Sequence, residues 1–547
     1  MSSQSPTADD LATATLPPLT MPRLMGWAAQ QYGDKLAVSD GGREVTYRAL
    51  NDLRRRAGKA CMACGIGKGD KVAIWAPNSL EWMVAAMGAQ SVGAVLVPLN
   101  TRLQGAEAAD ILRRAGVVAL FTVGRLEQGA PADLLADESL PDLRRTILLD
   151  AGQGEYDLPL WDAFLEMAEA ADPAAYTAAE RSVNPDDIAD MLFTSGTTGK
   201  AKGVLCSHQQ NIRVFANWSH TVGLRCDDNY LIINPFFHSF GYKAGWLAAL
   251  ICGSAIFPLA QFERVRLLQA IAEHRITMLP GAPSLYEMIL AAPERDDYDL
   301  SSLRLGVTGA ASVPVQLVRD MREQLGFDVV VTAYGLTEST GVVSICRPED
   351  DPETIASTCG RAMPGVELCC VAPESGTVQP AGEAGEVWVR GYNVMQGYHD
   401  MPEATAATIT AEGWLRTGDI GVLDERGYLR ITDRLKDMYI MNGENVYPAE
   451  IEKLLYNLHG VQQAAVIGVP KAPQGEVGMA FVVRKPGAAL SESDVRSYCA
   501  DQLARYKQPA YVLFVDSLPM NASGKVLKTE LALQAKEYLA AAKEPKA

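Results

Sequence analysis

From residue 36 to residue 334 short apolar runs alternate with stretches of helical spacing, and several of the runs stop at a turn rich in glycine or aromatic residues. That alternation is the mark of βαβ units, whose strands lie parallel and are covered on both faces. The spacing predicts strands at 36–40, 71–75, 94–98, 117–122, 145–149, 188–193, 230–234, 277–280, 303–308 and 328–332. Helices are expected at 47–64, 80–91, 107–114, 265–274, 284–291 and 313–325. Residues 44–46 turn back on the first strand through Gly41 and Gly42 as a hairpin, and 128–185, apart from 145–149, read as polar surface wrapping.

Near residue 366 the period changes. Short strands at 367–371, 385–390, 421–423 and 428–432, separated by Gly382, Gly391 and Gly427, point to a small antiparallel barrel. A compact α+β segment follows, with helices at 448–457 and 491–503 and strands at 464–468, 479–484 and 511–514. The expected fold is therefore α/β. A flexible arm spans 1–20, a large N-terminal domain of two βαβ-type subdomains spans 21–435 with its barrel at 366–433, and a small mobile C-terminal domain spans 436–547.

At 547 residues the chain exceeds one ordinary core. A net charge of −17 argues against broad nucleic-acid or anionic-membrane binding, both of which need a positive face. The ten cysteines show no regular spacing and read as reduced thiols of a cytoplasmic protein. Cys61 and Cys64 form the one C-x-x-C, on a helical pattern, which suits packing better than metal. The first twenty residues lack the pattern of a signal peptide. The uncharged run 244–262 is interrupted by Gly245, Gly253 and Pro258, so it reads as a buried helix and strand and not a transmembrane span.

Chemistry concentrates after the 188–193 strand, in Thr194, Ser195, Gly196, Thr197, Thr198, Gly199 and Lys200, followed by Lys202. Glycines let backbone N–H groups close on an anion, hydroxyls add donors, and lysine supplies charge, so a phosphate is the natural ligand. The P-loop pattern is missed, because it needs Gly at 194 and a hydroxyl at 201, where Thr194 and Ala201 stand. Taken alone, the same composition also suits a surface turn. Further strands end at Gly309-Ala310-Ala311, at Ala333-Tyr334-Gly335-Leu336-Thr337-Glu338 and at the aromatic loop 235–243. If the sheet is parallel, these turns share an edge with the phosphate loop.

Six segments in order carry a resemblance: 194–203, 334–338, 413–419, 431–437, 443–448 and 523–525. Over nearly its whole length the chain resembles the acyl-adenylate-forming superfamily of acyl- and aryl-CoA synthetases, firefly luciferase and peptide-synthetase adenylation domains. The resemblance implies that a carboxylate attacks the α-phosphate of ATP, giving an acyl-adenylate and pyrophosphate, and that a thiol, here coenzyme A, then displaces AMP. It further implies that Thr194 to Lys200 hold the departing pyrophosphate and that Glu338 is the Mg²⁺ ligand. Tyr334 would stack on adenine with Gly309-Ala310-Ala311 as the opposite wall, and Ala333, Gly335, Leu336 and Thr337 would bind the nucleotide beside it. Asp419 would accept from the ribose hydroxyls with Ile431 and Arg434 beside it. Lys525 matches the lysine acting at the carboxylate and α-phosphate, a placement worth about 10²–10³ in rate. Lys436 stands at the hinge position, and Met441, Asn442 and Gly443 at the thiol tunnel. His238, Phe240, Tyr242, Lys243 and Gly309 fall at the acyl pocket or its gate, although a structural aromatic cluster also explains His238.

Three positions depart from the common pattern: Ala201 replaces a frequent proline, Met441-Asn442 replaces Ser-Gly, and Ala333 offers no side-chain bond to adenine. Segments 235–245, 307–311, 346–351 and 358–361 resemble the CoA ligases of bacterial steroid catabolism that activate a bicyclic propanoate. Medium-chain or alicyclic acids, loading of a carrier protein, and nucleotide binding without catalysis are the alternatives. The expected partners are a small carboxylic acid, ATP and CoA, with no nucleic acid and no transmembrane segment; a homodimer is left open.

Overall fold

A computed structural model of the chain describes residues 16–152, 158–194, 201–309, 313–441, 444–471, 475–520 and 526–541. These form two compact units, one of residues 1–368 with 389–415 and one of 369–388 with 416–547.

The first unit is built on two sheets. The smaller has seven strands in the order Gly397–Tyr398, Lys202–Ser207, Ile188–Thr194, Val95–Pro98, Lys71–Trp75, Val117–Val123 and Arg145–Asp150. From Ile188–Thr194 onward its neighbours are parallel, while Lys202–Ser207 and Gly397–Tyr398 add an antiparallel margin. The larger has nine, in the order Arg361–Ala362, Ser344–Ile345, Val329–Tyr334, Leu305–Gly309, Met278–Gly281, Asn229–Ile232, Ala255–Pro258, Leu36–Asp40 and Arg43–Thr46. Its six central strands, Val329–Tyr334 to Leu36–Asp40, are parallel. Helix Leu80–Ser91 is buried along its whole length, in keeping with a sequence apolar on every side. It packs on Tyr47–Ala63 and sets Trp82 against Phe236, Tyr242 and Trp246.

The strand that leads into the expected phosphate loop does not share a sheet with the turns expected beside it. Thr194 pairs with Lys202, so the loop joins the two arms of an antiparallel hairpin, and the turns after Gly309 and Tyr334 belong to the other sheet. Lys202-Gly203 is a weak strand opening, which hid the return arm. Helix His208–Val222 also went unread, although Ser207 and Gln210 form a capping box at its start and Gly223, at φ 74°, ends it.

Residues 128–185 do more than wrap the surface. Helices Trp161–Glu166 and Pro173–Ser182 seat Phe164 and Tyr176, both fully buried. The buried Arg54 of helix Tyr47–Ala63 meets Glu180 at 2.6 Å. Their anchors are sparse along a polar sequence, so periodicity does not reveal them. The 244–262 run forms a turn of π-helix over Tyr242–Leu247, helix Ala248–Cys252 and strand Ala255–Pro258. Among the described residues no helix is long and apolar enough to cross a membrane. All ten cysteines are free, with Cys61 buried.

In the second unit, where a small barrel is expected, strands Val366–Val371, Ala384–Gly391, Leu415–Leu423 and Leu429–Arg434 form a four-stranded sheet. A five-stranded sheet follows, centred on Gly475–Arg484, with Val461–Lys471 antiparallel at its edge. Its alternation sends Ala464 and Val466 to one face, in a cluster with Ile451, Leu455, Val495 and Cys499 of helices Pro448–Tyr456 and Glu492–Gln502. Ala465, Ile467 and Val469 face the other way, onto Leu531 and Ala535 of helix Lys528–Ala541.

Candidate active site

The parallel strands Asn229–Ile232, Met278–Gly281, Leu305–Gly309 and Val329–Tyr334 all end at one edge of the larger sheet, the edge where such sheets bind ligands. Gly309 lies opposite Ala333, and Tyr334 pairs with Ser344. The chain then turns sharply. A Cβ on Gly335 would stand 2.1 Å from the Gly341 carbonyl oxygen, so only glycine permits the 3₁₀ turn Thr337–Ser339 to fold back so closely. Ser339 Oγ accepts from Leu336 N–H at 3.1 Å, and Thr340 closes the turn at φ 58°. The turn carries Glu338, half-buried, whose Oε1 accepts from the Tyr398 hydroxyl at 2.9 Å.

Thr194, at the end of Ile188–Thr194, is the one expected phosphate-loop residue described; Ser195, Gly196, Thr197, Thr198, Gly199 and Lys200 lie outside the described residues, as do Ala310 and Ala311. The return arm brings Lys202 Nζ to 4.6 Å from the Tyr398 ring centre. Cys206 Sγ on the same arm sits 3.7 Å from Thr340 Oγ1. The loop's exit strand and the Glu338 turn, which belong to different sheets, are thereby brought together.

The aromatic loop divides. His238 is exposed, and its Nδ1 accepts from Phe240 N–H at 3.2 Å, capping the short helix Ser239–Gly241. Phe240 is half-buried. Gly241 is forced, because a Cβ there would lie 2.2 Å from the Pro235 carbonyl oxygen. Tyr242 and Lys243 turn into the core instead of toward a pocket. Tyr242 stacks on Trp246 at 4.8 Å and accepts from Gln90 Nε2 at 2.9 Å. Lys243 Nζ lies 2.9 Å from Asp190 Oδ1, and neither side chain has any exposure. Burial pushes the Asp190 carboxyl up against the pull of Lys243 and of Asn211, which donates to its other oxygen. Burial works against the Lys243 charge, but Asp190 and Cys206 together outweigh it and hold the ammonium above its usual range. Asp190 was missed in the sequence, although a single charge inside the run 188–193 signals a need for a buried partner.

In the second unit Asp419 and Arg434 stand opposite each other on antiparallel strands, with Arg434 Nε 3.2 Å from Asp419 Oδ1. Asp419 is almost buried and Arg434 half-exposed. Ile431 is half-buried and Lys436 exposed. Asp433 accepts from Arg434 N–H at 2.6 Å and from Ala449 N–H at 2.8 Å, at the start of helix Pro448–Tyr456. Burial pushes its carboxyl up to about 6, against those two backbone donors. Lys528 Nζ spans Glu452 at 3.0 Å and Asp437 at 3.4 Å. Met441 pairs with Glu444; Asn442, Gly443 and Lys525 lie outside the described residues.

Among the described residues no group of three or more His, Cys, Asp or Glu could cage a metal ion. A lone carboxylate such as Glu338 fits magnesium, which keeps water and phosphate oxygens as most of its ligands.

The AMP-binding enzyme family matches residues 25–399, and the AMP-binding enzyme C-terminal domain matches 450–525. The chain belongs to the AMP-binding enzyme family. Two relatives called 3-[(3aS,4S,7aS)-7a-methyl-1,5-dioxo-octahydro-1H-inden-4-yl]propanoyl:CoA ligase, from Rhodococcus jostii and Mycobacterium tuberculosis, are each 48% identical, covering 94% of this chain and 98% of the relative. Among solved structures, ATP-bound MatB from Rhodopseudomonas palustris superposes with a TM-score of 0.83 at 30% identity, covering 94% of this chain and 99% of that one. The anthranilate CoA ligase AuaEII in complex with anthranoyl-AMP does so with a TM-score of 0.83 at 27% identity, covering 98% and 100%. The chain is an ATP-dependent, AMP-forming acyl-CoA synthetase.

Proposed function

We propose that the acid activated by this ligase is a steroid-derived bicyclic propanoate bearing two ring ketones, converted to its CoA thioester in two half-reactions. The observation that carries the substrate is the 48% identity, over 94% of the chain, to two ligases that share that substrate in their names. In the first half-reaction a carboxylate oxygen attacks the α-phosphorus of ATP, and the bond to pyrophosphate breaks. In the second the CoA sulfur attacks the acyl carbon, and AMP leaves with the bonding pair.

The roles read from resemblance remain part of this proposal. The hydroxyls and N–H groups of the 194–200 loop hold the pyrophosphate, Tyr334 stacks on adenine, and Asp419 binds ribose with Ile431 and Arg434 at its side. Magnesium, when bound, supplies positive charge to the phosphate oxygens, and Glu338 is its protein ligand. Lys525 offsets charge developing at the α-phosphate, and Lys436 is the pivot between the half-reactions. The acid lies toward His238, Phe240 and Gly309, and CoA approaches along Met441, Asn442 and Gly443. A small barrel at 366–433 and a mobile domain at 436–547 complete the proposed organisation.

The test is a panel of carboxylic acids with ATP, Mg²⁺ and CoA, scored for AMP and acyl-CoA. The bicyclic dione propanoate is expected to give the highest kcat/KM; a medium-chain or simple alicyclic acid at the top would replace the substrate. ADP as product, or turnover without CoA dependence, would overturn the two-step reading. Lys525→Ala should cut adenylate formation by about 10²–10³ while sparing thioester formation from supplied acyl-AMP. Equal loss of both would remove Lys525 from its role.

A further inference from the structure

Glu338 and the phosphate loop come from different sheets, and what joins them is a segment to which the sequence motifs assign nothing. Residues 391–398 are held on one side by the Glu338 turn. Met395 N–H donates to the Glu338 carbonyl at 2.9 Å, Thr340 Oγ1 to the Asn393 carbonyl at 2.7 Å, and Asn393 Nδ2 to the Val342 carbonyl at 2.9 Å. On the other side, strand Gly397–Tyr398 pairs with the exit arm of the loop, with Tyr398 opposite Val204 and His399 N–H donating to Gly203. Tyr398 ends this bridge. Its ring lies under the Lys202 ammonium, its N–H donates to Thr405 Oγ1 at 2.9 Å, and its hydroxyl donates to Glu338 Oε1.

We infer that Tyr398 is a positioning residue that aims the Glu338 carboxylate and couples it to the loop through Lys202. The inference rests on the proposed reading of Glu338 as a magnesium ligand. A glutamate on a 3₁₀ turn has three side-chain torsions, the terminal one broad. A donor fixed by strand pairing and packing removes that freedom and sets which carboxylate edge meets the metal. Tyr398 is 8% exposed, and its hydroxyl lies 2.9 Å from Glu338 Oε1. A hydroxyl also suits the task better than a cation. It orients the carboxylate without neutralising the charge that a divalent ion needs, as outer-shell partners of metal ligands do elsewhere.

Tyr398→Phe tests this, because it keeps the ring beneath Lys202 and the strand pairing and deletes only the donor. The half-saturating Mg²⁺ concentration in ATP–pyrophosphate exchange is expected to rise about tenfold, with the acid KM and Tm unchanged. Mn²⁺ binding, followed by electron paramagnetic resonance in the presence of a non-hydrolysable ATP analogue, should weaken by about the same factor. Glu338→Gln is the reference. If Glu338→Gln shifts the metal dependence and Tyr398→Phe does not, the positioning role is wrong while the reading of Glu338 stands. If Glu338→Gln leaves the metal dependence unchanged, that reading falls and the inference with it. If Tyr398→Phe raises the acid KM as much as the metal requirement and lowers Tm, the tyrosine is packing alone and the inference is overturned.

Discussion

Replacing Lys243 by methionine separates a core residue from a pocket residue. In the structure Lys243 and Asp190 are both without exposure and 2.9 Å apart, so the substitution strands a carboxylate in the core with Asn211 and Tyr242 as its remaining neutral donors. Breaking a buried pair from one side costs about 3–5 kcal/mol. The surrounding unit has roughly 400 residues, hence an unfolding entropy of about 0.8 kcal/mol per kelvin, and the expected loss is about 4–6 °C in Tm. Burial already raises the Asp190 pKa, and losing Lys243 raises it further. A raised folded pKa means that the native state keeps a proton the unfolded chain releases, so stability is greatest at low pH and falls as pH rises through the folded value. The deficit of Lys243→Met should therefore widen as pH rises. Lys243→Met with Asp190→Asn removes both charges and should recover more than half of the loss. The assay is calorimetry at a fixed scan rate, since unfolding of so large a chain is rate-dependent. A Tm within about 1 °C of wild type, with a changed acid KM, would refute the argument and return Lys243 to the pocket.

Two further outcomes follow from single contacts. Gly335→Ala puts a Cβ 2.1 Å from the Gly341 oxygen, so the Glu338 turn must shift; a cost of about 1–3 kcal/mol and at least a tenfold fall in ATP–pyrophosphate exchange are expected, and near-normal exchange would deny that the turn's closure matters. Asp433, pushed up to about 6 from an ordinary value near 4, contributes stability that is present at low pH and lost as pH rises through 6. The advantage of wild type over Asp433→Asn should shrink by about 2 kcal/mol between pH 4 and pH 7, measured by chemical denaturation, and a constant or growing gap would reverse that assignment.

Residues with a local cause were readable. The capping and apolar spacing of Leu80–Ser91, the hairpin at Gly41-Gly42 and the glycine-bounded strand Val329–Tyr334 each follow from neighbours a few positions away. Cys61 shows the same limit from the other side: helical spacing placed it correctly, while its environment depends on remote packing. The return arm Lys202–Ser207 was not readable, because a glycine and a lysine open it and only pairing with 188–194 and 397–398 makes it a strand.

The chain's order of motifs determined its family and the kind of bond it makes, since these depend on residue type and local spacing. Tertiary structure decided which side chains became core and which stayed exposed. Lys243 joins Asp190, 53 positions earlier in the chain, and Tyr398 reaches Glu338 across a separation of 60. Both pairings join a strand of the seven-stranded sheet to a helical turn that links strands of the nine-stranded one, and hydrogen bonds and charges at that distance in sequence have no periodicity from which to be read.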